Sequence, residues 1–95
     1  MIAESMRLRD ARRYAVLLEF GLSTKETNQR TDNVQYIKGL ASDVAECRYW
    51  GNKEYDNKDP LVDRVAYRHG IPGAEARLRE AIAIFRAPTP AETIP

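Results

Sequence analysis

Apolar residues recur every three or four positions through most of this 95-residue chain, and they nowhere alternate regularly with polar ones. Such spacing is typical of amphipathic helices, whereas strict alternation is typical of strands. A chain of this length forms one domain. We therefore expect an all-α fold, a small single-domain bundle of about four helices, with the helical domain at residues 1–86 and a proline-rich C-terminal tail at residues 87–95.

The first two predicted helices are long. The first runs from Ala3 to Phe20, and Gly21 is a natural stop because it tolerates the left-handed conformation that ends helices. Its predicted inward face consists of Leu8, Ala11, Ala15, Leu18 and Leu22. Tyr14 and Leu17 widen that face.

The second helix has two candidate starts. Ser23 and Glu26 have the spacing of a capping box, but no large apolar side chain follows until Val34, so the helix begins either there or nearer Thr31. The segment closes at Trp50. The residues predicted to face inward are Ile37, Leu40, Ala41, Val44 and Cys47.

The last two predicted helices form a short hairpin. Asp59-Pro60 is a strong start signal, since aspartate caps a helix and proline suits its first position. The third helix then covers residues 61 to about 69, Gly70 stops it, and Pro72 opens the fourth. The buried stripe of that fourth helix is Ala74, Leu78, Ala81, Ile82 and Phe85.

Composition excludes several classes of function. His69 is the single histidine and Cys47 the single cysteine, and there is no glycine-rich phosphate loop, so we predict no catalytic residues, no metal site and no cofactor. A lone cysteine fits a reducing compartment, and no apolar run approaches membrane-spanning length, so we expect a cytoplasmic protein without a membrane partner. A net charge of +1 gives no bulk attraction to nucleic acid.

Arginine beside aromatic rings is the most distinctive chemistry of the chain. Arginine and aromatic side chains dominate protein-binding hot spots. The candidate partner-binding residues are Arg9, Arg12, Arg13, Tyr14, Arg48 and Tyr49. The first three share one helix face, predicted to be exposed and to meet an acidic protein surface. Alternatively, the arginines pair within the chain with the acidic stretch Glu54, Asp56, Asp59 and Asp63.

Residues Leu61 to Ile82 also carry a DNA-binding alternative. A short helix containing Ala66, a glycine at position 70 and a following second helix resemble a helix-turn-helix DNA reader. The resemblance implies that Arg77 and Arg79, early in the second helix, reach the major groove. Nucleic acid is a less favoured partner than protein, because the net charge is near zero. Capture of a nucleotide or phosphate ligand by the face from Arg9 to Tyr14 is a third alternative.

These observations favour a non-enzymatic, protein-binding helical module. Inhibitors, adaptors and assembly subunits have this character, among them phage or mobile-element accessory proteins such as inhibitors of host defence. The first helix carries more apolar surface than so small a fold is expected to bury, so we also expect a homo-oligomer, with a twofold dimer as the simplest form. That surface comprises Leu8, Ala11, Tyr14, Ala15, Leu17 and Leu18.

Overall fold

The computed structural model describes residues 2–52 and 63–87, with side chains from residue 7 onward. All regular structure in this part of the chain is helical, which confirms the predicted all-α fold. The four helices are α1 (Ile2–Glu19), α2 (Thr24–Thr27), α3 (Asp32–Trp50) and α4 (Arg64–Arg86). None of them is both long enough and apolar enough to cross a membrane. Residues 88–95 of the predicted tail and the predicted start at Asp59-Pro60 lie outside the described residues.

Helix α1 ends as its sequence predicts. Gly21 has a φ of 97°, and its amide donates to the carbonyl of Leu18. The amide of Leu22 donates to the carbonyl of Leu17, which completes a Schellman motif. Leu17 and Leu22 are both buried, so the hydrophobic contact between them that accompanies this motif anchors the end of α1 in the core.

The second predicted helix is interrupted. The capping box forms, with the Ser23 side chain accepting from the amide of Glu26 and the Glu26 carboxylate accepting from the amide of Ser23. It starts only the single turn of α2, and a second cap, Thr31, starts α3. The later of the two candidate starts is therefore right for the long helix that ends at Trp50, but a separate one-turn helix precedes it, so the second helix along the chain is short. No large apolar side chain lies between the two caps to hold a longer helix against the core.

The predicted hairpin of two short helices is also wrong. Helix α4 is continuous through Gly70 and Pro72, and Asp63 caps its start. Proline inside a helix costs about 3 kcal/mol because it lacks an N–H and crowds the preceding turn. Packing of the first turns of α4 on the end of α3 offsets this cost: a Cβ on Gly51 would lie only 2.9 Å from the backbone nitrogen of Arg68. The turn that a helix-turn-helix reader needs is therefore not formed within residues 63–87.

Helix α3 lies between α1 and α4 and packs against both, whereas α1 and α4 form no helix–helix contact with each other in the described chain. The shared core consists of Val16, Leu17, Leu22, Ile37, Leu40, Ala41, Val44, Ala45, Ala74, Leu78 and Ile82. This core contains most of the residues predicted to face inward on the second and fourth predicted helices, which lie in α3 and α4. Arg86, in the last turn of α4, closes the far end by donating to the Gly21 carbonyl at 2.6 Å and pairing with Glu26 at 3.1 Å.

Candidate protein-binding surface

Helix α1 packs against the core with the side opposite to the one predicted from its sequence. Val16 and Leu17 are buried against α3, and Phe20 packs partly against the same core. The opposite side of α1 faces solvent, although it carries the stripe predicted to be buried. Its exposed residues are Leu8, Ala11, Ala15 and Leu18. We refer to these four residues as the outer face of α1.

The outer face is a continuous apolar strip. Its residues are spaced three, four and three apart, so they form one row about 15 Å long. Leu8 is 55% exposed and Leu18 is 44% exposed. Tyr14 borders the row, with its hydroxyl held 2.9 Å from the Thr24 hydroxyl oxygen in α2. Single exposed leucines are ordinary on protein surfaces, but a row opposite the packed side of a helix is typical of an interface.

The predicted arginine face lies on the side of α1 that looks towards α3. Arg12 is half-buried, and its guanidinium carbon sits 4.1 Å from the ring centroid of Tyr49. Its Nε is buried and has no hydrogen-bond partner. The guanidinium is thus held chiefly by stacking on the ring, a cation–π contact that strengthens as water is excluded. This contact joins α1 to α3.

Arg9 and Arg13 border an open groove of about 490 Å³ between α1 and α3. Arg9 is the more exposed, and its Nε lies 3.8 Å from the Glu46 carboxylate. Arg13 is half-buried and lies 3.3 Å from Asp10, one turn away on the same helix. Glu54, Asp56 and Asp59 of the acidic stretch predicted as an internal partner lie outside the described residues, so that pairing stays a prediction.

Arg48 bridges all three long helices. Its Nη2 lies 2.7 Å from the carboxylate of Glu19 in α1 and 3.1 Å from that of Glu75 in α4. The hydrogen bond to Glu19 is the largest influence that raises the pKa of Arg48 above its ordinary value; partial burial opposes it, and the bond to Glu75 adds to it. Both carboxylates are satisfied within the chain, so this arginine acts here as an internal clamp.

The six predicted partner-binding residues therefore separate into groups. Arg12, Arg48 and Tyr49 come together with Val16 and Ala45 around a shallow pocket of about 260 Å³. Arg9 and Arg13 border the neighbouring groove, and Tyr14 lies beside the outer face of α1. The predicted role of these six residues in partner binding stays a prediction.

The two arginines of the DNA-binding alternative lie on one continuous helix. Arg77 and Arg79 are two residues apart in α4, so they point to different sides of it. The guanidinium carbon of Arg79 lies 5.6 Å from the ring centroid of Phe20. The pair does not form a single reading edge.

Comparison with known proteins adds no relative. No protein-family model matches the chain, and no curated protein or solved structure resembles it significantly. Burial and then Asp43 raise the pKa of the Cys47 thiol above its ordinary value, so little of it is thiolate near neutral pH.

Periodicity alone did not identify the outer face of α1 as exposed. Leu8, Ala11, Ala15 and Leu18 form the more regular stripe, whereas the side that packs is interrupted by Arg9, Arg12 and Arg13. The usable signal lies at the helix end. In a Schellman motif the residue after the glycine packs against the third residue from the helix end, which pairs Leu22 with Leu17 and turns that side of α1 inward.

Proposed function

We propose that this chain is a non-enzymatic protein-binding module that docks a partner on the outer face of α1. The observation that supports this is the exposed row Leu8, Ala11, Ala15 and Leu18, which lies opposite the packed side of a helix already anchored in the core. Burial of apolar surface is the main driving force of protein association. A rigid helix presents such a surface with little further ordering of its backbone.

The arginines contribute to this function unequally. Arg12 stacks on Tyr49 and Arg48 binds two carboxylates, so their guanidinium groups are engaged within the chain. Arg9 and Arg13 hold weaker internal pairs at the edge of an open groove, and they are the residues of the cluster that we propose for contact with acidic groups of a partner.

Site-specific photocrosslinking tests the proposed surface. A benzoylphenylalanine replaces Leu18 in the chain expressed in its native cells, and the same residue replaces Ile84 in a control. Ile84 is 68% exposed and lies on α4, away from the outer face of α1. We expect a discrete protein adduct, identified by mass spectrometry, from position 18 and not from position 84.

Two controls make that experiment decisive. Both variants should keep the helical circular dichroism and melting temperature of the wild type, since both positions are exposed. Equal adducts from the two positions, or none from position 18, would refute docking on the outer face of α1. An adduct with any protein, including a second copy of this chain, supports docking at this surface, so the test does not depend on the identity of the partner.

A further inference from the structure

The outer face of α1 is complementary to itself when two copies run in opposite directions. We propose that it pairs with the same face of a second copy, so that two α1 helices pack antiparallel about a twofold axis. This inference rests on the proposed function and names its partner. Two features of α1 support it: the order of large and small residues along the row, and the distribution of charge beside it.

The order of residues in the row is symmetric. Leucine stands at each end and alanine at the two inner positions. In the antiparallel pair Leu8 faces Leu18 of the second copy, and Ala11 faces Ala15 of the second copy. The spacing of three and four residues is that of a coiled-coil seam, which keeps all four positions turned towards the partner helix. The inner alanines allow close approach of the two backbones, and the leucines then meet across each end.

Charge selects the antiparallel direction. The half of α1 around Leu8 is basic, and of its charges the exposed Arg7 borders the outer face, whereas Arg9, Arg12 and Arg13 lie on the side towards α3 and Asp10 pairs with Arg13. The half around Leu18 has the negative end of the helix dipole. A parallel pair would place the two Arg7 side chains and the like ends of the two helix dipoles side by side, which is repulsive. An antiparallel pair places each basic half beside the negative end of the other copy. Arg7 is exposed and precedes Ala11 by four residues, so it borders the seam at that point.

The size of the row sets the strength of the pair. Four layers along about 15 Å of helix bury less surface than the standard protein interface of roughly 800 Å² per partner. We therefore expect a reversible dimer, populated at micromolar concentrations and above, rather than a permanent one.

Analytical ultracentrifugation from about 1 μM to about 300 μM tests the pairing, because small interfaces associate in this range. The wild type should shift from monomer to dimer mass. The variant L8E/L18E should weaken dimerisation at least about 100-fold, because it places four carboxylates in the seam. The matched control V65E/I84E adds the same charges at similarly exposed apolar positions of α4, where Val65 is 54% exposed, and should dimerise like the wild type.

Disulfide trapping tests the direction of the pair. In a C47S background, A11C and A15C chains of different length are mixed and oxidised. The antiparallel register predicts a mixed disulfide between A11C and A15C chains in excess over either symmetric product. A parallel register predicts the symmetric A11C and A15C products instead. A83C, at an exposed position of α4, reports random collision.

The outcomes separate the two proposals. A wild type that stays monomeric at about 300 μM, or symmetric disulfides alone, overturns the antiparallel pair. Protein docking on α1 then still stands if position 18 crosslinks to another protein in cells. Equal loss of dimer in L8E/L18E and V65E/I84E also overturns the inference, since the pairing would not depend on the seam. Circular dichroism of each variant distinguishes loss of pairing from loss of fold.

Discussion

Two glycines, one inside α3 and one at its C-cap, should respond in opposite ways to the same substitution. Gly39 lies at an exposed position in the helix interior, and a Cβ built there meets no atom within 4 Å. Gly51 is buried at the C-cap, where a Cβ would lie 2.7 Å from the Cys47 carbonyl oxygen and 2.9 Å from the Arg68 nitrogen. Its φ is −84°, which alanine adopts freely, so any cost at this position comes from contact and not from backbone strain.

The magnitudes follow from these surroundings. G39A should stabilise the protein by about 0.5–1 kcal/mol, because alanine loses less conformational freedom than glycine when a helix forms. G51A should destabilise it by about 1–3 kcal/mol, because the contacted atoms are backbone and α4 must move away from α3. For a domain of this size, 1 kcal/mol corresponds to roughly 4–8 °C in melting temperature.

Thermal and urea unfolding followed by circular dichroism measures both effects against the wild type. A neutral or stabilising G51A would refute the close approach of α3 and α4 at this point, and with it the explanation of why α4 continues through Gly70 and Pro72. If G39A were destabilising, the surface of α3 around Gly39 would have to pack against a group that does not lie near it in this structure.

Further predictions concern charge and the thiol. R48M should lower the free energy of unfolding by about 1–2 kcal/mol in urea titrations, with the exposed bond to Glu19 contributing little and the more buried bond to Glu75 most. The hydrogen bond from the Ser23 amide, with a smaller contribution from Arg86, lowers the pKa of the Glu26 carboxyl below 4.5. The ionised Glu26 carboxylate therefore stabilises the fold above pH 4.5, and this stabilisation is lost as the pH falls through the lowered pKa. Thermal melts of E26Q should therefore depend less on pH in this range than those of the wild type. Native Cys47 should react with a disulfide reagent more slowly than the same thiol in urea, because burial raises its pKa.

The double variant R9E/R13E separates partner contact from internal pairing. It should change the melting temperature by only a few degrees, because exposed ion pairs contribute about 0–1 kcal/mol each. A loss of the crosslinked adduct with an intact fold would assign these arginines to the partner surface. A large drop in melting temperature would instead assign them to the fold, and no change in either measurement would mean that they form a solvated edge.

The parts of this fold that follow from local sequence were predictable. The row from Val34 to Val44 in α3 is apolar on one side only, and Gly21 carries the signal of a helix end. The orientation of α1 was not predictable from periodicity, because this helix has two apolar sides, and the signal that separates them is the pairing of Leu22 with Leu17 at the helix end. The continuity of α4 at Pro72 has a tertiary origin, since packing on α3 outweighs a local helix-breaking signal.

Of the candidate site, the sequence identified the residue types but not their contacts. It placed arginines and aromatic residues at a partner surface, whereas the structure stacks Arg12 on Tyr49 within the fold, and these two residues are distant in the chain. Arg48 was expected to face a partner, and its placement between Glu19 and Glu75 depends on the arrangement of three helices. The excess of apolar residues on the first helix is visible in the sequence. Periodicity alone does not show which side of that helix stays exposed in the fold.

The central position of α3 has a consequence for the order in which the molecule is made. During synthesis α1 and α3 emerge before α4, and they can pack together while the side of α3 that receives α4 is still uncovered. The core is complete only when Ala74, Leu78 and Ile82 have left the ribosome. Until then the nascent chain exposes the α4-facing side of α3 as well as the outer face of α1. Contact between chains that are being synthesised on the same mRNA is therefore most favourable before α4 emerges from the ribosome.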